Sequence, residues 1–156
     1  MSRGGVSVDV DDPAGGPPVG VLLFIPYRAM ETRVFAALAA AGFDDFTPAQ
    51  ARVMQRIGPE GTRLTELAEA AQVTKQTASF LVDQLERTGY VSRTPDPADA
   101  RARLVRIAAR GRAAQPVAAA AVAEVEAEWR AHLGQREWNR LRDALTRLRE
   151  ITDPYR

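Results

Sequence analysis

Five polar side chains near the start of one amphipathic segment have the chemistry needed to bind nucleic acid. The segment runs from Thr74 to about Thr88, and its apolar stripe follows helical spacing: Ala78, Leu81, Val82 and Leu85. The polar set at its start is Thr74, Lys75, Gln76, Thr77 and Ser79. Glutamine binds adenine through two hydrogen bonds, lysine reaches guanine or phosphate, and the first amides of a helix favour phosphate. A helix face that is only solvated would show the same pattern. The choice between a solvated face and a nucleic-acid-binding face therefore depends on the surrounding elements.

The elements around this segment predict a helix-turn-helix. A short helical stretch, "LTELAEAAQ", comes first, and a tight turn through Gln72 and Val73 joins the two helices. Thr74 is a plausible N-cap. Gly89 is expected in the left-handed conformation after the second helix, with Tyr90 packing on Leu85.

A hairpin follows the glycine directly. The β-like segments "YVSRT" and "RLVRI" flank "PDPADARA", and Thr62–Leu64 is expected to add a third strand because a lone hairpin is marginal. This order is that of a winged helix. Arg101 near the tip can enter a narrow minor groove, and Asp99 can hold its guanidinium. Residues 90–112 carry six arginines against two aspartates, about +4, although the whole chain carries only +1.

The flanking segments are predicted to be a tail and four further helical stretches. Residues 1–18 indicate a disordered tail in which Asp9, Asp11 and Asp12 are solvated and bind no metal. A helix is expected over residues 19–41; Pro26 either kinks it or lies in the first turn of a shorter helix. Further helices are expected from a Thr47 N-cap to about residue 57, over residues 111–132 and over 135–152. The terminal helices have apolar faces for which the central module offers no partner.

Composition argues against several functions. The chain has no cysteine and one histidine, so a thiolate or histidine metal site is not expected, and we predict no cofactor. Phosphate-binding glycine loops and G-x-S-x-G are absent from the sequence, so an enzyme is not expected. The apolar run "VGVLLFIPYRAM" is too short to cross a bilayer and no secretory signal precedes it; we expect a cytoplasmic protein without membrane contact.

Residues 64–111, "LTELAEAAQVTKQTASFLVDQLERTGYVSRTPDPADARARLVRIAARG", resemble the MarR (multiple antibiotic resistance regulator) transcription factors. The pairing of "L-E-x-x-G-Y-V" with "D-P-x-D-x-R" carries the resemblance. It implies a mainly α fold: one unit over residues 19–156, with a winged helix-turn-helix lobe (47–110), a small β-hairpin wing and dimerisation helices (19–41 and 111–152). It also implies a ligand-responsive repressor that binds a pseudo-palindromic operator in double-stranded DNA as a homodimer.

The resemblance assigns roles to individual residues. The polar set falls where base and phosphate contacts are made, Arg101 and Asp99 fall at the wing tip, and Arg93 and Arg103 are weaker candidates for backbone contacts. Phe80 departs from the family's usual arginine; it contacts a thymine methyl or packs against the wing. The expected dimer interface contains Leu22, Ile25, Trp138, Leu141, Leu145 and Leu148.

A pocket for a small aromatic or anionic ligand is also implied. Its candidate residues are Tyr27, Arg28, Met30, Val34 and Trp129. For Tyr27 and Trp129, a place in the core or the interface is favoured over a role in ligand binding. A winged helix that binds protein and not DNA is the alternative function.

Overall fold

The computed structural model describes residues 15–153, and within that range it contains six helices and one three-stranded sheet. The helices are α1 (Val19–Ala40), α2 (Pro48–Met54), α3 (Leu64–Ala70), α4 (Lys75–Arg87), α5 (Ala109–Leu133) and α6 (Gln135–Thr152). The strands are β1 (Thr62–Arg63), β2 (Val91–Asp96) and β3 (Asp99–Ile107), antiparallel in the order β1-β3-β2. The predicted fold class is confirmed. Most of the predicted tail, with Asp9, Asp11 and Asp12, lies outside the described residues.

Several helix boundaries differ from the predicted ones. Helix α1 continues across Pro26, so the alternative of a shorter helix with Pro26 in its first turn is wrong. The capping box at Thr47 is present, since Thr47 and Gln50 each accept the other's backbone N–H. Helix α2 nevertheless ends before Ile57, because the Arg56 and Ile57 amides bond to carbonyls only three residues earlier. Helix α5 begins two residues before Gly111.

The wing is longer and its tip tighter than predicted. Strands β2 and β3 take in most of "PDPADARA", and only Pro97 and Ala98 form the turn. The Asp96 carboxylate makes this possible because it accepts the Ala98 amide at 2.9 Å and the Arg63 guanidinium at 2.7 Å. The predicted third strand is confirmed, with Thr62 opposite Val105.

The long helices pack beside the lobe that α2, α3, α4 and the sheet form. Helix α1 lies against α5, where Arg33 donates to Glu128 at 2.5 Å, and α5 in turn contacts α6. The far end of α6 is joined to the lobe by Arg56, which donates twice to Asp153, at 2.7 and 3.2 Å. Within residues 15–153, no helix has the length and apolar character to cross a membrane.

Tyr90 is the point where helix α4, the wing and α5 meet. Helix α4 ends as predicted: Gly89 has φ +82°, and the Tyr90 amide donates to the Leu85 carbonyl at 2.8 Å. The Tyr90 carbonyl accepts the Ala108 amide at 2.9 Å, immediately before α5. The buried Tyr90 ring packs against Phe46, and the two ring centroids are 4.9 Å apart. One residue therefore sets the spacing of three elements.

A polar cluster closes over this ring. The Tyr90 hydroxyl donates to Asp45 at 2.7 Å, and Arg110 donates to the same carboxylate at 2.6 Å while lying 4.6 Å from the Tyr90 ring centroid. These hydrogen bonds, that of Tyr90 first, lower the pKa of Asp45. Burial, together with the Asp45 carboxylate, raises the pKa of Tyr90 to about 12. The cluster attaches α5 to the loop between α1 and α2.

Gly111→Ala should destabilise the fold. A Cβ at this position would lie 2.4 Å from the Tyr90 carbonyl oxygen and 2.8 Å from Ile107, and backbone cannot yield cheaply. We expect the free energy of unfolding, measured in urea, to fall by about 1–3 kcal/mol, although alanine is the better helix former. Ala113→Gly, at an exposed position of the same helix, measures the propensity effect alone, about 1 kcal/mol. A Gly111→Ala protein as stable as the wild type would contradict the close approach of α5 to the Tyr90 carbonyl.

Tyr90→Phe should lower the free energy of unfolding by about 1.5 kcal/mol at pH 7, because a hydrogen bond to a charged acceptor is lost. The loss should also change with pH. An unfolded tyrosine titrates near pH 10, whereas the folded Tyr90 keeps its proton to about pH 12. Its contribution is therefore complete below about pH 10 and disappears as the pH rises toward 12. The free energies of unfolding of the two proteins, measured from pH 7 to 12, should therefore approach each other above about pH 10. A difference that stays constant at alkaline pH would refute this role.

Candidate nucleic-acid interface

Helix α4 is held in one rotational position by its apolar stripe and by its cap. Ala78, Leu81, Val82 and Leu85 are buried against the core of the lobe. Thr74 caps the helix, accepting the Thr77 amide at 3.1 Å. The opposite face must therefore point away from the lobe.

The predicted polar set lies on that face, with one exception. Thr74, Lys75, Gln76 and Thr77 are exposed, whereas Ser79 is partly buried at the edge. The Thr74 hydroxyl also donates to the Thr77 hydroxyl at 2.9 Å, so part of their hydrogen-bonding capacity is used locally. In the described part of the chain, Lys75 and Gln76 make no side-chain hydrogen bond or ion pair. The ammonium group of Lys75 and the amide group of Gln76 are therefore available to a ligand at this surface.

The second half of α4 carries acids that a nearby arginine offsets. Arg93, on β2, donates to Asp83 at 2.7 Å and to Glu86 at 2.9 Å, and its backbone N–H also donates to Glu86. Its side chain is only 18% exposed. The prediction that Arg93 contacts the DNA backbone does not fit this arrangement, because its guanidinium already serves two carboxylates. Its place is to hold the wing against α4 and to reduce the negative charge there.

The wing tip is organised by two aspartates with different roles. Asp96 is buried, and the Ala98 amide and the Arg63 guanidinium lower its pKa, so it stays ionised. Asp99 accepts the backbone N–H of Arg101 at 3.0 Å and not its guanidinium. The prediction that Asp99 holds the Arg101 side chain is therefore wrong; Asp99 shapes the backbone that carries it.

The six arginines of the basic segment separate into two groups. Arg93 and Arg110 form ion pairs, Arg106 donates to Thr94, and Arg112 donates to the Ile107 carbonyl. By contrast, Arg101 and Arg103 are exposed, and within residues 15–153 neither has an acidic partner. Within this segment, the two arginines whose side chains make no hydrogen bond or ion pair in the described chain therefore both lie on β3, next to the wing tip.

The predicted ligand residues are divided between two adjoining cavities. Tyr27, Met30 and Val34 line a cavity of about 200 Å³ between α1, α2 and α5. Tyr27 and Met30 also line, together with Trp129, an open groove of about 810 Å³. Arg28 lines neither; it is exposed and pairs with Glu31 one turn later on α1. The predicted pairing of Arg28 with an anionic ligand in the pocket is therefore wrong.

Sequence reasoning also missed an acidic group at this cavity. Glu31 lines it and is held by Arg28 and by Arg52, the latter at 3.6 Å. The i, i+3 spacing of Arg28 and Glu31 was a signal for the first of these pairs.

Most predicted dimer residues form an uncovered apolar surface, with one exception. Five of them are 37–57% exposed: Leu22, Ile25, Leu141, Leu145 and Leu148. Trp138 is only 4% exposed and lies 5.5 Å from the Arg130 guanidinium. Its predicted burial against a partner does not fit, because its own chain already covers it.

Comparison with known proteins agrees with this architecture. A model of the MarR family matches residues 44–102, which include α2, the helix-turn-helix and the wing tip. The exopolysaccharide II synthesis transcriptional activator ExpG of Rhizobium meliloti (strain 1021) is 31% identical over 117 residues, 70% of this chain. The match covers about 60% of the length of ExpG.

Solved structures share the fold along most of the chain. A MarR-family transcriptional regulator from Rhodococcus sp. RHA1 is 25% identical with a TM-score of 0.65, over 83% of this chain and 91% of that one. CouR from Rhodococcus jostii RHA1, solved with p-coumaroyl-CoA, is 26% identical with a TM-score of 0.67. The match covers 87% of this chain and 92% of the CouR chain. The family match falls on the very segment that carries the exposed helix face and the wing. The chain therefore belongs to the MarR family of winged-helix transcriptional regulators.

Proposed function

We propose that this protein regulates transcription in the cytoplasm by binding a pseudo-palindromic site in double-stranded DNA as a homodimer. The observation that carries the proposal is the joint exposure of Gln76 and Lys75 on α4 and of Arg101 and Arg103 on the wing. Groups that hydrogen-bond base edges lie on a helix, which fits the major groove, and uncompensated arginines lie on a narrow hairpin. Neither group is occupied by contacts within the described chain.

The two elements take different parts in binding. The start of α4 enters the major groove, where Gln76 reads a base edge and Lys75 reaches guanine or phosphate. Arg101 enters the adjacent minor groove, whose negative potential is strongest where it is narrow. The Arg93 ion pairs keep Asp83 and Glu86 from repelling the phosphates and hold the wing beside the helix.

The exposed apolar face of α1 and α6 supports dimerisation. Leu22, Leu141 and Leu145 line the open groove between these helices. Each large side chain that a partner buries contributes roughly 1.5–3 kcal/mol, so a second copy that covers several of them should bind stably. The dimer would place two copies of α4 on successive turns of one DNA face.

Two directions of regulation are supported, repression and activation. A repressor released by a small molecule fits the cavity beside α1, α2 and α5, since a ligand there would contact both the dimerisation helices and the lobe. CouR was solved with p-coumaroyl-CoA, which supports a ligand-responsive family member. ExpG is an activator, which supports the alternative that this protein activates transcription. Transcription in vitro from a promoter carrying the selected site separates the two.

Selection of bound sequences from random DNA tests the proposal directly. We expect an inverted repeat with half-sites about one helical turn apart. The affinity for the selected site should fall steeply with salt, because bound phosphates release counterions. A pool without enriched sequences would contradict specific DNA binding and favour a protein-binding winged helix.

Arg101→Ala should weaken binding to the selected site by about tenfold per wing, about 1.4 kcal/mol, with an unchanged thermal unfolding temperature. The salt dependence should also decrease, by about one unit of slope per wing. Arg136→Ala is the matched control, since Arg136 is an exposed arginine at the start of α6, away from the lobe. Equal affinities for wild type and Arg101→Ala across the salt range would remove the wing from the mechanism.

Leu145→Asp should separate the dimer and abolish specific DNA binding together, because a charge would have to be buried against the partner. Thr146→Asp adds the same charge one residue further on α6, where the side chain lies off the apolar stripe, and should leave both properties intact. Sedimentation equilibrium gives the oligomeric state and a binding titration gives the affinity. A monomeric Leu145→Asp protein with full affinity would refute the coupling.

A further inference from the structure

Phe80 is an apolar ring in the middle of the polar surface of α4. It is 59% exposed, and one helical turn separates it from Gln76 on one side and from Asp83 or Gln84 on the other. Within residues 15–153, the other large apolar side chains with high exposure lie on α1, α5 and α6. Phe80 alone among them is placed on the lobe.

Neither the core nor the wing explains this ring. The aromatic pairs of the described chain, formed by Phe35, Phe43, Phe46 and Tyr90, do not include it. The wing contacts α4 through the Arg93 ion pairs with Asp83 and Glu86 and leaves most of Phe80 uncovered. Of the two roles that the sequence left open for Phe80, packing against the wing therefore leaves more than half of the side-chain surface unexplained.

The position of the ring selects one chemical partner. If α4 occupies the major groove as proposed above, Phe80 faces base edges. The groove floor offers one apolar group, the C5 methyl of thymine; its other groups are hydrogen-bond donors and acceptors. A phenyl ring placed against those polar groups would desolvate them without replacing their hydrogen bonds.

We propose that Phe80 is a specificity-determining residue that recognises the 5-methyl group of a thymine in each half-site, a role that rests on the proposed DNA binding. Four residues along a helix correspond to about 6 Å, or roughly two base-pair steps of about 3.4 Å. The thymine read by Phe80 therefore lies one or two base pairs from the base read by Gln76. A phenyl ring offers a phosphate neither a charge nor a hydrogen-bond donor, so the contact adds selectivity more than general affinity.

A methyl-deletion scan of the selected site tests this role. Each thymine is replaced in turn by deoxyuridine, which removes only the methyl group and keeps the base pair. For the wild-type protein, one position in each half-site should weaken binding by about fourfold, the factor for one buried methyl-sized group. For Phe80→Ala, the same replacement should have no effect on affinity.

Control variants distinguish the ring from its surroundings. Phe80→Leu keeps an apolar side chain and should retain part of the methyl sensitivity. Gln76→Ala should weaken binding but keep the full sensitivity at the Phe80 position. Thermal unfolding of each variant should match the wild type, because both side chains are exposed.

Two failures have different meanings. If the wild-type protein selects no sequence from random DNA, the proposed function fails. If it selects a site but shows no thymine whose methyl effect disappears in Phe80→Ala, then Phe80 does not read DNA and the present inference alone is overturned.

Discussion

The burial of Tyr90 is the constraint on which the arrangement of the lobe depends. Its amide closes the end of α4, its carbonyl receives the amide that precedes α5, and its hydroxyl reaches Asp45 in the loop before α2. Such a residue cannot move without disturbing all three elements, because a buried polar group must keep its partners. Gly89 and Gly111 lie on either side of the same point; one supplies the left-handed turn, and the other lets α5 approach the backbone.

This constraint links the candidate interface to the long helices α1, α5 and α6. The direction of α5 relative to α4 is set at Tyr90, and α5 packs on both α1 and α6. Arg56 and Asp153 form a second connection, from the end of α2 to the end of α6. In the proposed dimer, a change in how the two copies pack along α1 and α6 would therefore be transmitted to the separation of the two α4 helices. In this arrangement a small molecule in the cavity beside α1, α2 and α5 would act on the same connection.

The arginines show why composition alone does not define an interface. A run of six arginines predicts a basic surface, yet Arg93 and Arg110 are committed to carboxylates from α4 and from the loop before α2. Those acids lie far away in sequence or on another element, so counting charges within the segment missed them. The arginines of this run whose side chains make no hydrogen bond or ion pair in the described chain are a smaller set next to the wing tip, Arg101 and Arg103, and the Arg93 pairs position the wing.

Local signals in the sequence determined most of the fold. Caps at Thr47 and Thr74, the glycine stop at residue 89 and the apolar stripe of α4 are interactions among residues a few positions apart, so their spacing predicts them. The order of the winged helix and the exposure of Lys75, Gln76 and Arg101 followed from the same signals. Tertiary structure alone decided what covers a side chain from a distance: Trp138 inside its own chain, Arg93 between two acids, Glu31 rather than Arg28 at the cavity, and Phe80 left open. These outcomes depend on contacts between residues that are not neighbours in sequence, and a linear pattern carries no information about which distant group will be nearest.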